Sequence, residues 1–308
     1  MAAIFIFSED SALGKQLLTP ALELKKSLTQ SIIALALSES DAKELAALGA
    51  DKAVVLQSES KWVDGLADAI YTEVSKSQGS VLLVGGTLRG KGIAAYVAAK
   101  LNAGMVTDAK TLKIEGGKLL ATRVLYAGLA TCEEEVVLPA VATVRARTFV
   151  APSAAAAAGT VESVTVNGES RITVGVVTPT GTAGVNINAA SKLVSVGRGF
   201  RKKEDLKLAE DLAAALKAEL ACTRGVAEDE HWLPIERYIG ISGQTVKPDL
   251  YLAVGLSGQV QHMVGCRESK VIVAINNDER APIFEAADYG IVGDLYEVLP
   301  LLTAALGK

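Results

Sequence analysis

A chain of 308 residues is long enough for two domains of about 100–200 residues each, and its 50% hydrophobic and 21% charged content excludes a disordered or fibrous protein. Its 31 basic and 35 acidic side chains leave a net charge of −4, which excludes whole-molecule steering toward nucleic acid or anionic lipid; any anion site must be local. The mean hydropathy of +0.31 owes much to Ala, since no run of about 18 uncharged apolar residues occurs, and no membrane insertion is expected.

The N-terminal MAAIFIFSEDSALGK has no basic stretch before its apolar run, and Glu9 and Asp10 follow at once, so it does not read as a secretory signal and a cytoplasmic location is expected. Short β-rich runs then alternate with longer amphipathic ones: AIFIF and ALELKKSL, SIIALAL and DAKELAAL, AVVL and KWVDGLADAIYTEVSK, SVLLVGG and KGIAAYVAAKL. The strand runs lack polar alternation, as parallel strands covered on both faces do. Asp41 and Ser58 are read as caps of the second and third helices. Beyond about residue 103 the pattern becomes alternating strands around a Gly116-Gly117 turn, expected to extend the first sheet as antiparallel strands.

Residues 151–190, rich in Ala, Gly, Thr and Ser with one further β-like segment, are where the domains should part. The β-α pattern then restarts with KLVSVGRGF, a helix EDLKLAEDLAAALKAEL, LACTRG, DLYLAVGLSG, a helical QVQHMVGCR, KVIVAIN, YGIVGD and a final helix LYEVLPLLTAAL. The fold class is therefore α/β with two doubly wound, mainly parallel sheets. Ligands of such sheets sit beyond the carboxyl ends of the strands, which puts the loops GRGF, CTRG, GLSGQ, AINNDERAP and GIVGD on one rim.

Several segments carry potential chemistry. GGTLRGKG at 85–92 misses a P-loop only at its last place, where Gly92 replaces the hydroxyl that would hold Mg²⁺; a turn before a helix is the preferred reading. Cys132, Cys222 and Cys266 form no CxxC, and His231 and His262 are the only histidines, so neither a disulfide framework nor a metal site is expected. GLSGQ at 255–259 is G-x-S-G-x rather than the G-x-S-x-G of a nucleophile elbow, which makes Ser257 a poor nucleophile; a hydrolase ranks last. The same loop makes a better anion site, with Gly255 and Gly258 allowing close backbone approach and Ser257 offering a hydroxyl. GRG at 197–199 adds Arg198 and Gly199, and GIVGD adds Asp294, a carboxylate suited to ribose hydroxyls, followed by Leu295.

Taken together, VSVGRGF, CTRGVAEDE, IGISGQTVKPDLYLAVGLSGQVQHMVG and KVIVAINNDERAPIFEAADYGIVGDLYEVLP resemble the FAD domain of the electron-transfer flavoprotein alpha subunit, the FixB-like family. TLRGKGIAAYVAAKLNAGMVTDA and RVLYAGLATCEEEVVLPAVATVRARTF resemble its N-terminal domain more loosely. The resemblance implies a Rossmann-like FAD-binding domain at 188–308 and an N-terminal α/β domain at 1–187 that pairs with a beta subunit. It implies a heterodimer taking electrons from dehydrogenases of the acyl-CoA type, as in fatty acid oxidation, and passing them to a membrane quinone oxidoreductase. It further implies that Arg198, Ser257, Gly258, Gln261, His262, Asn276 and Asp294 hold FAD phosphates, ribitol, ribose and the pyrimidine edge. Arg224 would lie against the isoalloxazine, with Thr223 before it and Ser242 and Gly243 in the loop that reaches flavin N5. Arg224, His262 and Ser242 are the residues expected to tune the flavin; Arg224 keeps its charge at all pH, whereas His262 is read as able to titrate near neutral pH.

The chain departs from the family loop GQTGK, reading Gly240-Ile241-Ser242-Gly243-Gln244, which reduces the polar surround of the flavin. His231 and Trp232 in EDEHWLP are read as loop packing. Two alternatives stay open: a non-redox module in which the same loops hold an adenine nucleotide, and a bifurcating member of the family that uses NADH.

Overall fold

The computed structural model describes residues 2–58, 62–154, 158–166, 172–176, 178 and 186–307. The chain divides into two compact units, Met1–Val177 and Thr178–Lys308. Among the described residues no helix is long and apolar enough to cross a membrane.

The first unit alternates β1 (Ala3–Phe7), α1 (Ser11–Leu28), β2 (Ser31–Ala36), α2 (Glu39–Ala47), β3 (Lys52–Gln57), α3 (Ala67–Ser75), β4 (Val81–Gly85) and α4 (Leu88–Leu101). There follow β5 (Gly104–Val106), β6 (Ala109–Glu115), β7 (Lys118–Leu125), β8 (Ala130–Val137), β9 (Ala140–Val144) and β10 (Thr160–Thr165). Helix α1 begins where the Asp10 side chain accepts from the Leu13 N–H, and it buries Leu13, Leu17, Leu18, Ala21 and Leu24 at helical spacing. The β1 run AIFIF is buried at every position, as sequence without polar alternation requires. One face carries α1 and α2 over Ile4, Ile6 and Leu83, and the other carries α3 and α4 over Phe5, Phe7 and Leu82. Each such fully buried Leu or Phe contributes about 1.5–3 kcal/mol.

Three expectations are corrected here. The antiparallel strands do not extend the first sheet: that sheet is parallel, in the order β10-β3-β2-β1-β4-β9-β5, while β6, β7 and β8 form a separate three-stranded sheet. Burial explains the split, since β8 alternates half-buried and exposed positions whereas β9, which follows Leu138-Pro139, is buried throughout. The cap of α2 is Ser38, whose hydroxyl accepts from the Asp41 N–H; Asp41 is already inside the helix. Nor does Ser58 open the third helix, which starts at Ala67 after a 3₁₀ turn at Val63–Leu66.

The second unit runs β11 (Lys192–Val196), α5 (Leu206–Leu216), β12 (Glu219–Cys222), β13 (Leu250–Val254), α6 (Val260–Cys266), β14 (Ile272–Asn276), α7 (Ile283–Ala286), β15 (Tyr289–Val292) and α8 (Leu295–Leu306). Its sheet is parallel throughout, in the order β12-β11-β13-β14-β15, so the chain reverses its direction of winding between β11 and β13. The helix expected over EDLKLAEDLAAALKAEL stops at Leu216, because Lys217 turns left-handed and Glu219–Cys222 join the sheet. Alternation along the strands sends Val194, Val196, Leu252 and Val254 to the layer of α5 and α8, and Leu193, Tyr251 and Ala253 to the layer of α6.

Candidate functional site

Parallel pairing sets the carboxyl ends of all five strands side by side, with Val196 opposite both Cys222 and Val254. The segments that leave those ends enclose a cleft of about 660 Å³. Arg198 and Gly199 line it from the end of β11, Thr223 and Arg224 from β12, and Gly255, Ser257 and Gly258 from β13. Gln261 and His262 of α6, Asn276 of β14, Asp294 and Leu295 after β15, and Ser242 of the 240–243 loop complete the set named from the sequence. Gly243 does not line the cleft; it packs beneath Tyr238, where a Cβ would stand 2.5 Å from the Tyr238 carbonyl oxygen.

Arg224 precedes a π turn at Gly225–Asp229, and its Nε donates to the Glu228 carboxylate at 2.5 Å. That pairing raises the Arg224 pKa further, so the guanidinium is a permanent cation, although a partly compensated one. Arg198 has no carboxylate partner among the described residues. It lies across Gly225, where a Cβ would come within 2.9 Å of Arg198 Cδ. The Ser242 hydroxyl shares a 2.8 Å hydrogen bond with the Tyr238 hydroxyl, and the Ile241 N–H donates to the Gln261 carbonyl at 2.8 Å, which fastens this loop to the start of α6.

His262 differs from its expected behaviour. Burial, only weakly opposed by the Ile239 carbonyl, lowers its pKa to about 4, so the ring is neutral near neutral pH rather than titrating there. Both ring nitrogens are taken, by the Tyr251 hydroxyl at 2.6 Å and the Ile239 carbonyl at 3.0 Å. His262 is therefore not free to act as a base toward Ser257.

Asn276 donates to the Leu256 carbonyl at 2.9 Å and accepts from the Asp278 N–H at 2.9 Å, so it braces two of the cleft loops. Asp294 caps α8 by accepting from the Tyr296 N–H at 2.9 Å. Gly258 adopts φ +76° against α7, and a Cβ there would stand 2.4 Å from Ile283 Cα. The fold also brings in residues the sequence reading passed over, among them Arg201, Asp229, Tyr238 and Tyr296. Arg201 was the one with a visible signal, a second arginine three residues after Arg198; Tyr238 and Tyr296 reach the cleft only through the folding of their segments.

This lining suits FAD. Arg198, Arg201 and Arg224 face it with Asp229 and Asp294, so a diphosphate finds more than one cation, while Ile239, Leu256 and Ile275 supply apolar wall for a ring. The volume falls within the roughly 300–1,000 Å³ of small-molecule sites.

Comparison with known proteins agrees with the geometry. The family model for the electron transfer flavoprotein FAD-binding domain matches residues 186–267, and that for the electron transfer flavoprotein domain matches residues 11–168. Protein FixB of Escherichia coli is 40% identical over 316 residues, spanning 99% of this chain and 98% of its own. Protein FixB of Shigella flexneri is 39% identical over 315 residues (99% and 98%), and that of Salmonella paratyphi A 39% over 316 residues (100% and 99%). The chain belongs to the electron transfer flavoprotein alpha subunit, or FixB-like, family, and its cofactor is FAD.

Proposed function

We propose that the chain, joined through its N-terminal unit to an electron transfer flavoprotein beta subunit, carries electrons from dehydrogenases of the acyl-CoA type to a membrane quinone oxidoreductase and turns over no substrate of its own. The observation that supports this most is the convergence of Arg198, Arg224, Ser242, Ser257, Asn276 and Asp294 on one cleft at the carboxyl edge of the second sheet.

When bound, FAD supplies the electron-carrying chemistry. In this reading the chain does the rest. Arg198 and Arg201 would neutralise the diphosphate, and Ser257 would offer it a hydroxyl. Asp294 accepts from ribose hydroxyls. Arg224 holds a fixed positive charge beside the ring, and the Ser242 hydroxyl, oriented by Tyr238, donates to the flavin edge. The apolar side chains of Ile239 and Ile241 limit water around the ring, which strengthens each of these electrostatic contacts.

The test is to co-express the chain with its beta subunit, record the visible spectrum and count flavins per pair. Yellow protein with FAD that is reduced by an acyl-CoA dehydrogenase and its substrate, and reoxidised by a quinone reductase, is the expected result. A colourless pair that binds only adenine nucleotide would favour the non-redox module, and reduction by NADH with a second flavin would favour the bifurcating variant.

A further inference from the structure

Ser242 lines the cleft but is itself exposed, and an exposed serine has several staggered χ1 rotamers open to it, each with water to bond. A β-branched threonine would be stiffer. What selects one rotamer here is Tyr238. Its hydroxyl lies 2.8 Å from Ser242 Oγ, and among the described residues neither hydroxyl has another hydrogen-bond partner.

Tyr238 is held by much more than this contact. It is 4% exposed, in the core layer that contains Cys222, Val226 and Ala227. The Ile239 N–H donates to the Cys222 carbonyl at 3.0 Å, which ties the segment to the end of β12. The Gln244 N–H donates to the Tyr238 carbonyl at 2.7 Å and so closes the 238–244 loop. Two glycines of that loop leave room for the ring. A Cβ at Gly240 would stand 3.0 Å from Tyr238 Cε2, and one at Gly243 would stand 2.9 Å from Cε1 on the opposite edge. The phenol is thus seated by its surroundings, and the exposed serine takes its orientation from the phenol.

The direction of the hydrogen bond follows from the chemistry of the two groups. A phenol O–H is a stronger donor than an aliphatic one, and the aliphatic oxygen, whose lone pairs are not drawn into a ring, is the better acceptor. With Tyr238 donating and Ser242 accepting, the one serine proton is left over and can point into the cleft.

We propose that Tyr238 is a positioning residue of the cofactor site: it donates to Ser242 Oγ, selects one rotamer of that serine and reserves the serine proton for the ligand in the cleft. It does for Ser242 what the extra methyl group does for a threonine. Its bearing on FAD rests on the proposed function; the direction of the hydrogen bond does not.

The test uses the full chain in complex with its beta subunit. In the flavin-free complex, the ultraviolet Raman difference between the unmodified protein and Ser242→Ala should show a tyrosine doublet that changes from a donating phenol to one without its acceptor. A phenol that only accepts in the unmodified protein overturns the proposal, as does an unshifted doublet, and this readout does not require Tyr238 to be replaced. In the FAD-loaded complex, Ser242→Ala should lower the midpoint potential, and Tyr238→Phe should lower it in the same sense by less. Tyr238→Phe added to Ser242→Ala should lower it no further, and Ser242→Thr added to Tyr238→Phe should restore most of the loss. An equal drop from Tyr238→Phe with and without the serine hydroxyl overturns the proposal, and so does a threonine that rescues nothing. A colourless complex in which Tyr238 still donates would instead remove the FAD reading and leave the Tyr238–Ser242 assignment standing.

Discussion

Arg224 and Glu228 face each other across the single π turn that leaves β12, Nε to Oε2 at 2.5 Å, so the cation closest in sequence to that strand end comes with its own counter-ion. A π turn inserts a residue into the helical repeat and often marks a functional position. Here it brings an i,i+4 carboxylate onto an arginine that lines the cleft. The field that this pair sends into the cleft is thus a difference of two charges, which solvent screens further because the Arg224 side chain is 67% exposed. Arg224→Ala should lower the flavin midpoint potential and Glu228→Gln should raise it, each by tens of millivolts on a scale where about 59 mV is tenfold for one electron. Spectroelectrochemical titration of the two variants checks the signs. Shifts in the same direction would refute the paired-charge account.

His262 gives a prediction in pH. Its folded pKa is lowered from 6.5 to about 4 by burial. Between those values the unfolded chain binds a proton that the native ring refuses, so the stabilisation from a neutral His262 is complete above about pH 6.5 and is lost as pH falls toward 4. At about 1.4 kcal/mol per pH unit the loss is on the order of 3 kcal/mol. Urea denaturation at pH 7 and pH 4.5 should show this fall in the unmodified chain and a smaller one in His262→Gln, whose amide has no such titration. Parallel pH dependence in the two proteins would mean that other groups carry it.

Parallel strands put every strand-end loop on one edge, so glycine, arginine and hydroxyl residues in separate loops can be assigned a common cleft from the sequence alone. The same logic could not reach Tyr251. In LYLAV it reads as one apolar strand residue among five, and only the alternation of the sheet against α6 turns its hydroxyl toward His262. The charge state of His262 is not legible in the sequence for a related reason, since burial is a tertiary property and reverses what the free imidazole would do. The separate β6-β7-β8 sheet was hidden because strand propensity reports extended backbone without naming the neighbour.

Gly258 tests how tightly the cleft floor is built. Its φ of +76° and the 2.4 Å that would separate a Cβ from Ile283 Cα combine backbone strain with a clash against main chain that cannot rotate away. The strain alone is worth about 1–3 kcal/mol. Gly258→Ala should therefore destabilise the chain by about 2 kcal/mol or more and weaken FAD retention. Thermal unfolding with and without added FAD separates the two effects: a variant as stable as the unmodified chain without FAD would show that α7 can move aside.

Arg201 and Tyr296 lie far apart in sequence and meet at the cleft. The Arg201 guanidinium sits 4.8 Å from the centre of the Tyr296 ring and 3.9 Å from Asp294, while the Tyr296 hydroxyl accepts from the Arg201 N–H at 2.8 Å and donates to Asp205 at 2.7 Å. The tyrosine thus holds both the backbone and the head group of this arginine. Since the Arg201 side chain is 77% exposed, its help to a bound diphosphate should be modest and sensitive to salt. Arg201→Ala should weaken FAD binding about fivefold to tenfold at low ionic strength, corresponding to about 1–1.4 kcal/mol, with the difference shrinking as salt is raised. Tyr296→Phe keeps the ring under the guanidinium but gives up both hydrogen bonds; it should cost about 1 kcal/mol of stability and leave FAD affinity closer to that of the unmodified chain. Fluorescence titration of the flavin-free complex with FAD at two salt concentrations measures these differences. An Arg201→Ala variant that binds FAD as tightly as its parent at low salt would place the diphosphate on Arg198 and the loop backbone without help from Arg201.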